Sequence, residues 1–350
     1  MRGYQYARVI AEVEAHPWNI TPTMLARVAA IIARAEACAT APTPALEAEH
    51  DAAIHAAVAN RKNLPQPRVG SVAIIPVDGV LLPRASAFSD TSGVTSYDRL
   101  AQQLREAVND KGVRNIVLDI NSPGGSVAGN QEFAAEVMRS RTRKPIIAQA
   151  QYLAASAAYQ IASAATEIAA APSAQVGSIG TYSIHNDLSA ALEQLGIKRT
   201  YISAGAGKVD GNETGPLSDS AYARRQKSVN EAYDAFVATV ARGRGNGTTE
   251  SKIRDTWGAH VYGAREAKDL GLVDRIATLD QTLERLLEPG DTADRAALAA
   301  YRLDDHDDAP VDTSQTRVRA GSDQDRRRDV LARCLIERQL FEQQLTDMTE

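Results

Sequence analysis

Between Ser71 and about residue 288 the chain alternates short apolar runs with longer stretches whose apolar residues recur at helical spacing. The runs SVAIIPV (71–77), NIVLDI (115–120), KPIIAQA (144–150) and TEIAAA (166–171) are short and almost uniformly apolar, and they read as buried strands. Between them, YDRLAQQLREAVND and GNQEFAAEVMRS carry apolar positions three and four residues apart and predict helices. A further strand is expected at RTYIS (199–203), followed by a helix from near Ser218. This alternation predicts an α/β domain over residues 69–288 with a largely parallel sheet.

The pattern changes on either side. Residues 1–68 are rich in alanine, with periodic apolar positions through 22–38, a break at APTP (41–44) and a second helical stretch to about Arg61. Two prolines between Asn63 and Pro67 then read as a linker, so residues 1–68 are expected to form a helical extension. Residues 289–322 are polar and acidic and are expected to be a disordered linker. Residues 323–350 place Val330, Leu331, Leu335, Leu340 and Leu345 at helical spacing, which predicts a terminal helix with one apolar face.

Composition narrows the function classes. Of 350 residues, 44% are hydrophobic and 24% charged, a globular balance, and the net charge of −5 gives no electrostatic case for nucleic acid. No apolar run approaches the roughly 18–20 residues that span a bilayer, and the N-terminal stretch lacks the apolar centre of a signal peptide. Cys38 and Cys334 lie far apart and form neither a disulfide framework nor a metal spacing, and the histidines are dispersed. The expectation is a cytoplasmic protein without cofactor or metal, acting away from membranes and nucleic acids.

Three segments carry chemistry. NSPGGS (121–126) follows a predicted strand and precedes a helix, where unhindered glycine amides can build an oxyanion hole or a phosphate cradle, or form a plain tight turn. YLAASAAY (152–159) sets Ser156 among alanines at the start of a helix, where a hydroxyl is uncrowded; a small residue for close helix packing is the bland alternative. GAGKVDGN (205–212) places Lys208 in a glycine-rich connection, ordinarily a solvated charge, but a serine nucleophile needs a base and no GxSxG elbow exists here.

In this order SPGGSV, ASAAY, VGSIG (176–180), ISAG…K-x-x-GN and YGAREAKDLGLVD (262–274) resemble the signal peptide peptidase A family of Ser–Lys proteases, over residues 71 to about 288. The resemblance implies a fold similar to Clp protease and the crotonases, built of stacked ββα units with the active site above the sheet. It implies Ser156 as nucleophile, Lys208 as general base, Ser178 orienting that lysine, and an oxyanion hole from Gly124 or Gly125 with the amide of Ala157. The lysine loop departs from relatives, which read AGKYK where this chain reads AGAGK, with Ala206 in place of the first lysine. A lysine acts as base only when burial lowers its pKa from about 10.4 toward the working pH. His185, with Asp187 or Asp210 as orienter, is the rival base.

A helical extension, one protease domain and a charged linker to a terminal helix look most similar to capsid maturation proteases of tailed phages and prophages. That implies protein substrates, coat, scaffold or portal partners, and action in the host cytoplasm or inside a procapsid. Single-domain relatives form homo-oligomeric rings with serine and lysine supplied by neighbouring subunits. A soluble bacterial signal-peptide-peptidase-like protease, a crotonase-type acyl-CoA enzyme and a non-catalytic capsid scaffold are the alternatives. The acyl-CoA reading lacks a carboxylate beside SPGGSV or ASAAY.

Overall fold

The structure, a computed structural model, describes residues 17–21, 67–84, 94–245, 247–287 and 290–304. The helices expected at 22–38, up to Arg61 and at 323–350 lie outside the described residues, as do Cys38 and Cys334. Among the described residues, those up to Leu298 form one compact unit, and residues 299–304, the end of one helix, belong to a second.

The centre is a parallel sheet. Strands β3 (Val72–Asp78), β6 (Asn115–Ser122) and β8 (Ile146–Ala155) lie side by side, with β2 (Arg68–Val69) antiparallel on the outer edge of β3. β8 serves two neighbours: its first half pairs with β9 (Glu167–Ala170) and its second half with β10 (Gln175–Gly177). The register between β6 and β8 shifts between Ile120 and Ser122, which lets one long strand turn from one neighbour to the other. Beyond β10 runs β11 (Val261–Gly263), antiparallel, and β12 (Arg275–Ile276) extends β9. The expected apolar runs are therefore strands buried on both faces, as parallel sheets require.

A second, smaller sheet is made of β4 (Val80–Leu82), β5 (Val94–Ser96), β7 (Gly124–Ser126) and β1 (Trp18–Ile20), in the order β1-β7-β4-β5. Helix α1 (Tyr97–Asn109) is capped by Ser96, whose Oγ accepts from the Arg99 amide, and it buries Leu100, Leu104 and Val108 at helical spacing. Helix α2 (Asn130–Ser140) follows β7, and α3 (Ala157–Ser163) follows β8. Every residue of α3 is buried, its alanines and serine allowing close approach while Tyr159 and Ile161 fill the core. Helix α4 (Ser189–Gln194) is short and buries none of its residues. Helix α5 (Asp219–Arg244), capped by Ser218, buries Phe236, Val237 and Val240 in its C-terminal half. A methyl group on Gly243 would run into the Ser163 carbonyl, so glycine permits that close approach of α5 to α3. A π-helical turn (Lys252–Trp257), α6 (Ala264–Leu270), α7 (Leu279–Leu286) and α8 (Thr292–Asp304) complete the described chain.

Four expectations change. RTYIS is no strand: it lies exposed and no described strand pairs with its backbone, and a strand without a hydrogen-bonded neighbour has no support. SPGG is not a tight turn, because Gly124 and Gly125 form β7 in the smaller sheet. Part of the expected 289–322 linker is helix α8, tied down by Asp294, which accepts from the Ser71 amide at 2.8 Å and from Arg114 at 2.7 Å. Residues within the expected helical extension, 18–20, form β1 and pack in the smaller sheet.

Candidate active site

Ser156 stands between the end of β8 and the first turn of α3, and it is 1% exposed. Its backbone has φ 56° and ψ −119°, a conformation that costs a non-glycine residue about 1–3 kcal/mol. Strain of this kind persists where neighbouring bonds over-determine it, and here the Ser156 amide donates to the Gly177 carbonyl at 2.8 Å. Its Oγ makes a long contact of 3.5 Å with the Gly180 carbonyl. No other hydrogen bond reaches this hydroxyl from the described residues.

Ser178 belongs to the same corner. It also has a positive φ, 56°, and its amide donates to the His260 carbonyl at 2.6 Å. The VGSIG stretch thus wraps the serine, with Gly177 and Gly180 supplying carbonyls on either side of Ser178. The sequence reading had named Ser178 but not these two glycines; their spacing around it is the signal that could have found them.

The glycine pair lies on the other flank. Gly124 has φ +104°, and a methyl group there would collide with the Asn19 carbonyl and come within 3.0 Å of both the Ala155 carbonyl oxygen and the Ala157 nitrogen. Gly124 is therefore the glycine beside Ala157, while Gly125 packs against the backbone of Leu81 in the neighbouring strand. Ser122 Oγ donates to the Gly79 carbonyl at 2.6 Å and accepts from the Gly124 amide at 3.2 Å, fixing the loop from below. The Ala157 amide opens α3, so no acceptor one turn back exists for it within the helix. Amides of this kind, at a helix start beside a strained serine, can stabilise negative charge developing on an oxygen.

The bases predicted from sequence make no hydrogen bond to Ser156. Lys208 is exposed, in a turn where its own amide donates to the Gly205 carbonyl at 3.2 Å, and its ammonium makes no hydrogen bond or ion pair among the described residues. His185 is tied by Nε2 to the Gly215 carbonyl at 3.0 Å. Asp187 is held below the usual carboxylate range by hydrogen bonds from the Ser189 side chain and then from the Ser189 amide, and Asp210 pairs with Arg224. No hydrogen bond joins Ser156 to Lys208 or to His185. Among the described residues no group of three His, Cys, Asp or Glu side chains could hold a metal ion. None of the described helices is long and apolar enough to cross a membrane.

Two residues near the serine were missed. Tyr182, two positions beyond Gly180, exchanges both backbone hydrogen bonds with Trp18, at 2.8 and 3.1 Å, and burial pushes its phenol up to about 12.

Comparison with known proteins gives this arrangement a context. Residues 138–291 match peptidase family S49. The chain is 33% identical over 208 residues to capsid assembly protease C of Escherichia phage lambda, covering 59% of this chain and 47% of that protein. It is 31% identical over 208 residues to head-tail preconnector protein GP5 of Enterobacteria phage P21, covering 59% and 41% respectively. With protease 4 of Salmonella typhi it shares 31% identity over 243 residues, 69% of this chain and 37% of that one. The chain thus spans less than half the length of each of these three relatives.

Proposed function

From the peptidase family S49 domain that this chain carries, we propose that the protein is a serine endopeptidase using Ser156 and Lys208. The observation that carries this reading is the strained Ser156 at the β8–α3 junction, with the Ala157 amide and Gly124 beside it. Ser156 Oγ attacks the scissile carbonyl while the Lys208 amine takes its proton. The Gly124 and Ala157 amides hold the oxyanion, and the amine product leaves with the proton that the lysine returns. Water then releases the acyl group from Ser156 by the same proton path.

Among the described residues no base is hydrogen-bonded to Ser156, and Lys208 is exposed; this supports a dyad completed between copies in a homo-oligomeric ring, with Ser178 orienting the incoming lysine. Support comes from the segment around Lys208, where Ile184, Leu188, Leu195, Ile197, Tyr201 and Ile202 are all exposed. Apolar surface of this extent marks an interface, and its burial would desolvate the lysine, the condition for a lysine base. The folding units β3-β4-β5-α1 and β6-β7-α2, each starting in the larger sheet and continuing into the smaller one, support the Clp and crotonase type of architecture. The phage relatives favour capsid structural proteins as substrates, with coat, scaffold or portal proteins as partners inside the host cell or a procapsid.

Cleavage of casein tests the dyad. Ser156→Ala and Lys208→Ala are expected to lose at least about 10³-fold in rate, while His185→Ala keeps near wild-type activity. A live Lys208→Ala with a dead His185→Ala replaces the dyad by a serine–histidine pair.

A further inference from the structure

Strand β1 is three residues long, yet Trp18, Asn19 and Ile20 are 1%, 1% and 2% exposed. It is gripped from both sides. On one side it runs antiparallel to β7, with Ile20 opposite Gly124 and Trp18 opposite Ser126. The ladder continues at both ends, the Thr21 amide donating to the Pro123 carbonyl at 3.2 Å and the Val127 amide to the Pro17 carbonyl at 3.3 Å. On the other side Trp18 and Tyr182 form a reciprocal backbone bridge, and Thr181 Oγ1 donates to Asn19 Oδ1 at 2.6 Å.

These two rails are the segments that flank Ser156. β7 begins at Gly124, whose Cα sits beside the Ala157 amide and against the Asn19 carbonyl. Tyr182 lies two residues after Gly180, the acceptor of the serine hydroxyl. An extended chain held between two backbone edges, with alternate side chains sent to opposite sides, is how a protease binds the peptide it cuts. Trp18 and Ile20 fall on one side and pack with Val80, Leu82 and Val94, while Asn19 turns to Thr181.

We infer that residues 17–21 occupy the substrate groove, as an internal peptide that a protein substrate must displace before reaching Ser156. The inference rests on Ser156 being the nucleophile. In that groove the internal peptide runs antiparallel to β7. The side chains seated where Trp18 and Ile20 now lie are large and apolar.

A reversible lock tests it. Trp18 and Tyr182 face each other in a hydrogen-bonded pair, for which a Cα separation near 5.5 Å is usual and within disulfide reach. The full chain carrying Trp18→Cys and Tyr182→Cys, with Cys38→Ser and Cys334→Ser, is assayed on casein oxidised and then reduced. Oxidation is expected to lower cleavage by at least about tenfold, because the groove is then permanently filled, and reduction to restore it. Equal rates in both states overturn the inference and make β1 a fixed part of the fold. The peptide AHPWNITPTM, which matches residues 15–24, provides a second measurement on the unaltered protein. Competitive inhibition absent from a scrambled peptide supports the inference, and no inhibition at millimolar peptide refutes it. Wild type and Ser156→Ala are run alongside: equal activity of those two defeats the nucleophile assignment itself, whatever the lock does.

Discussion

Ser156 and Ser178 are the non-glycine residues with positive φ among those described, and they lie on the two strand ends that β8 and β10 bring together. Each buys its strained geometry with an amide hydrogen bond, to Gly177 and to His260. Strain of about 1–3 kcal/mol per residue persists because these surrounding bonds over-determine the backbone. Gly124 obeys the same logic from the other flank. A Gly124→Ala change forces a side chain onto φ +104° and drives a methyl into the Asn19 carbonyl. It is expected to destabilise the fold by about 1–2 kcal/mol and to cut casein turnover by at least about 100-fold. Thermal melting and initial rates measured together separate the two effects, and an active, unshifted variant removes Gly124 from the site. The candidate serine was legible in the sequence only through the resemblance that the ordered motifs carry, since a serine among alanines reads equally as a residue for close packing. The choice between Gly124 and Gly125 was not, because it depends on which one the β8–α3 junction approaches.

At the scale of elements, the LGLVD end of the YGAREAKDLGLVD stretch joins three parts of the fold. Asp274 binds Arg244 of α5 at 2.6 and 2.7 Å and accepts from the Ile168 amide of β9 at 2.7 Å. The buried Tyr159 of α3 donates to the Leu272 carbonyl at 2.8 Å. Burial pushes the Asp274 carboxyl up, but the Arg244 and Ile168 hydrogen bonds and the guanidinium charge outweigh it and hold it below the usual range. A carboxylate depressed in the folded state stabilises fully above its unfolded pKa of about 3.9, and loses that stabilisation as pH falls through the folded value. The melting temperature of the wild type is therefore expected to drop more steeply between about pH 5 and about pH 3 than that of Asp274→Asn, which starts lower at neutral pH. Parallel slopes in thermal melts would show that this ion pair carries no pH dependence. Hydrophobic period revealed the strands and helices that end up in the core, since burial there follows directly from the pattern. RTYIS had strand-like composition, yet no strand pairs with it among the described residues, and β propensity acts only through neighbours.

For the molecule as a whole, the unusual feature is how little of residues 183–217 is covered. Ile202 is 98% exposed and Leu195 71%, on the stretch that also carries Lys208. A dyad shared between copies predicts complementation: inactive Ser156→Ala and inactive Lys208→Ala, dissociated and reassembled together, should recover about a quarter of wild-type activity through random pairing. A mixture that stays dead places serine and lysine in the same chain. Ile202→Asp is expected to weaken self-association, read by sedimentation, and to lower activity in proportion. By itself the sequence determined the α/β alternation, the parallel sheet and the serine at a strand-to-helix junction, because these follow from local periodicity and from small residues at fixed places. Only the tertiary structure decided that SPGG begins a strand of a second sheet, that Asp294 anchors a helix where a linker was expected, and that residues 18–20 lie against β7. Each of those depends on contacts between residues more than one hundred positions apart, which no local pattern encodes.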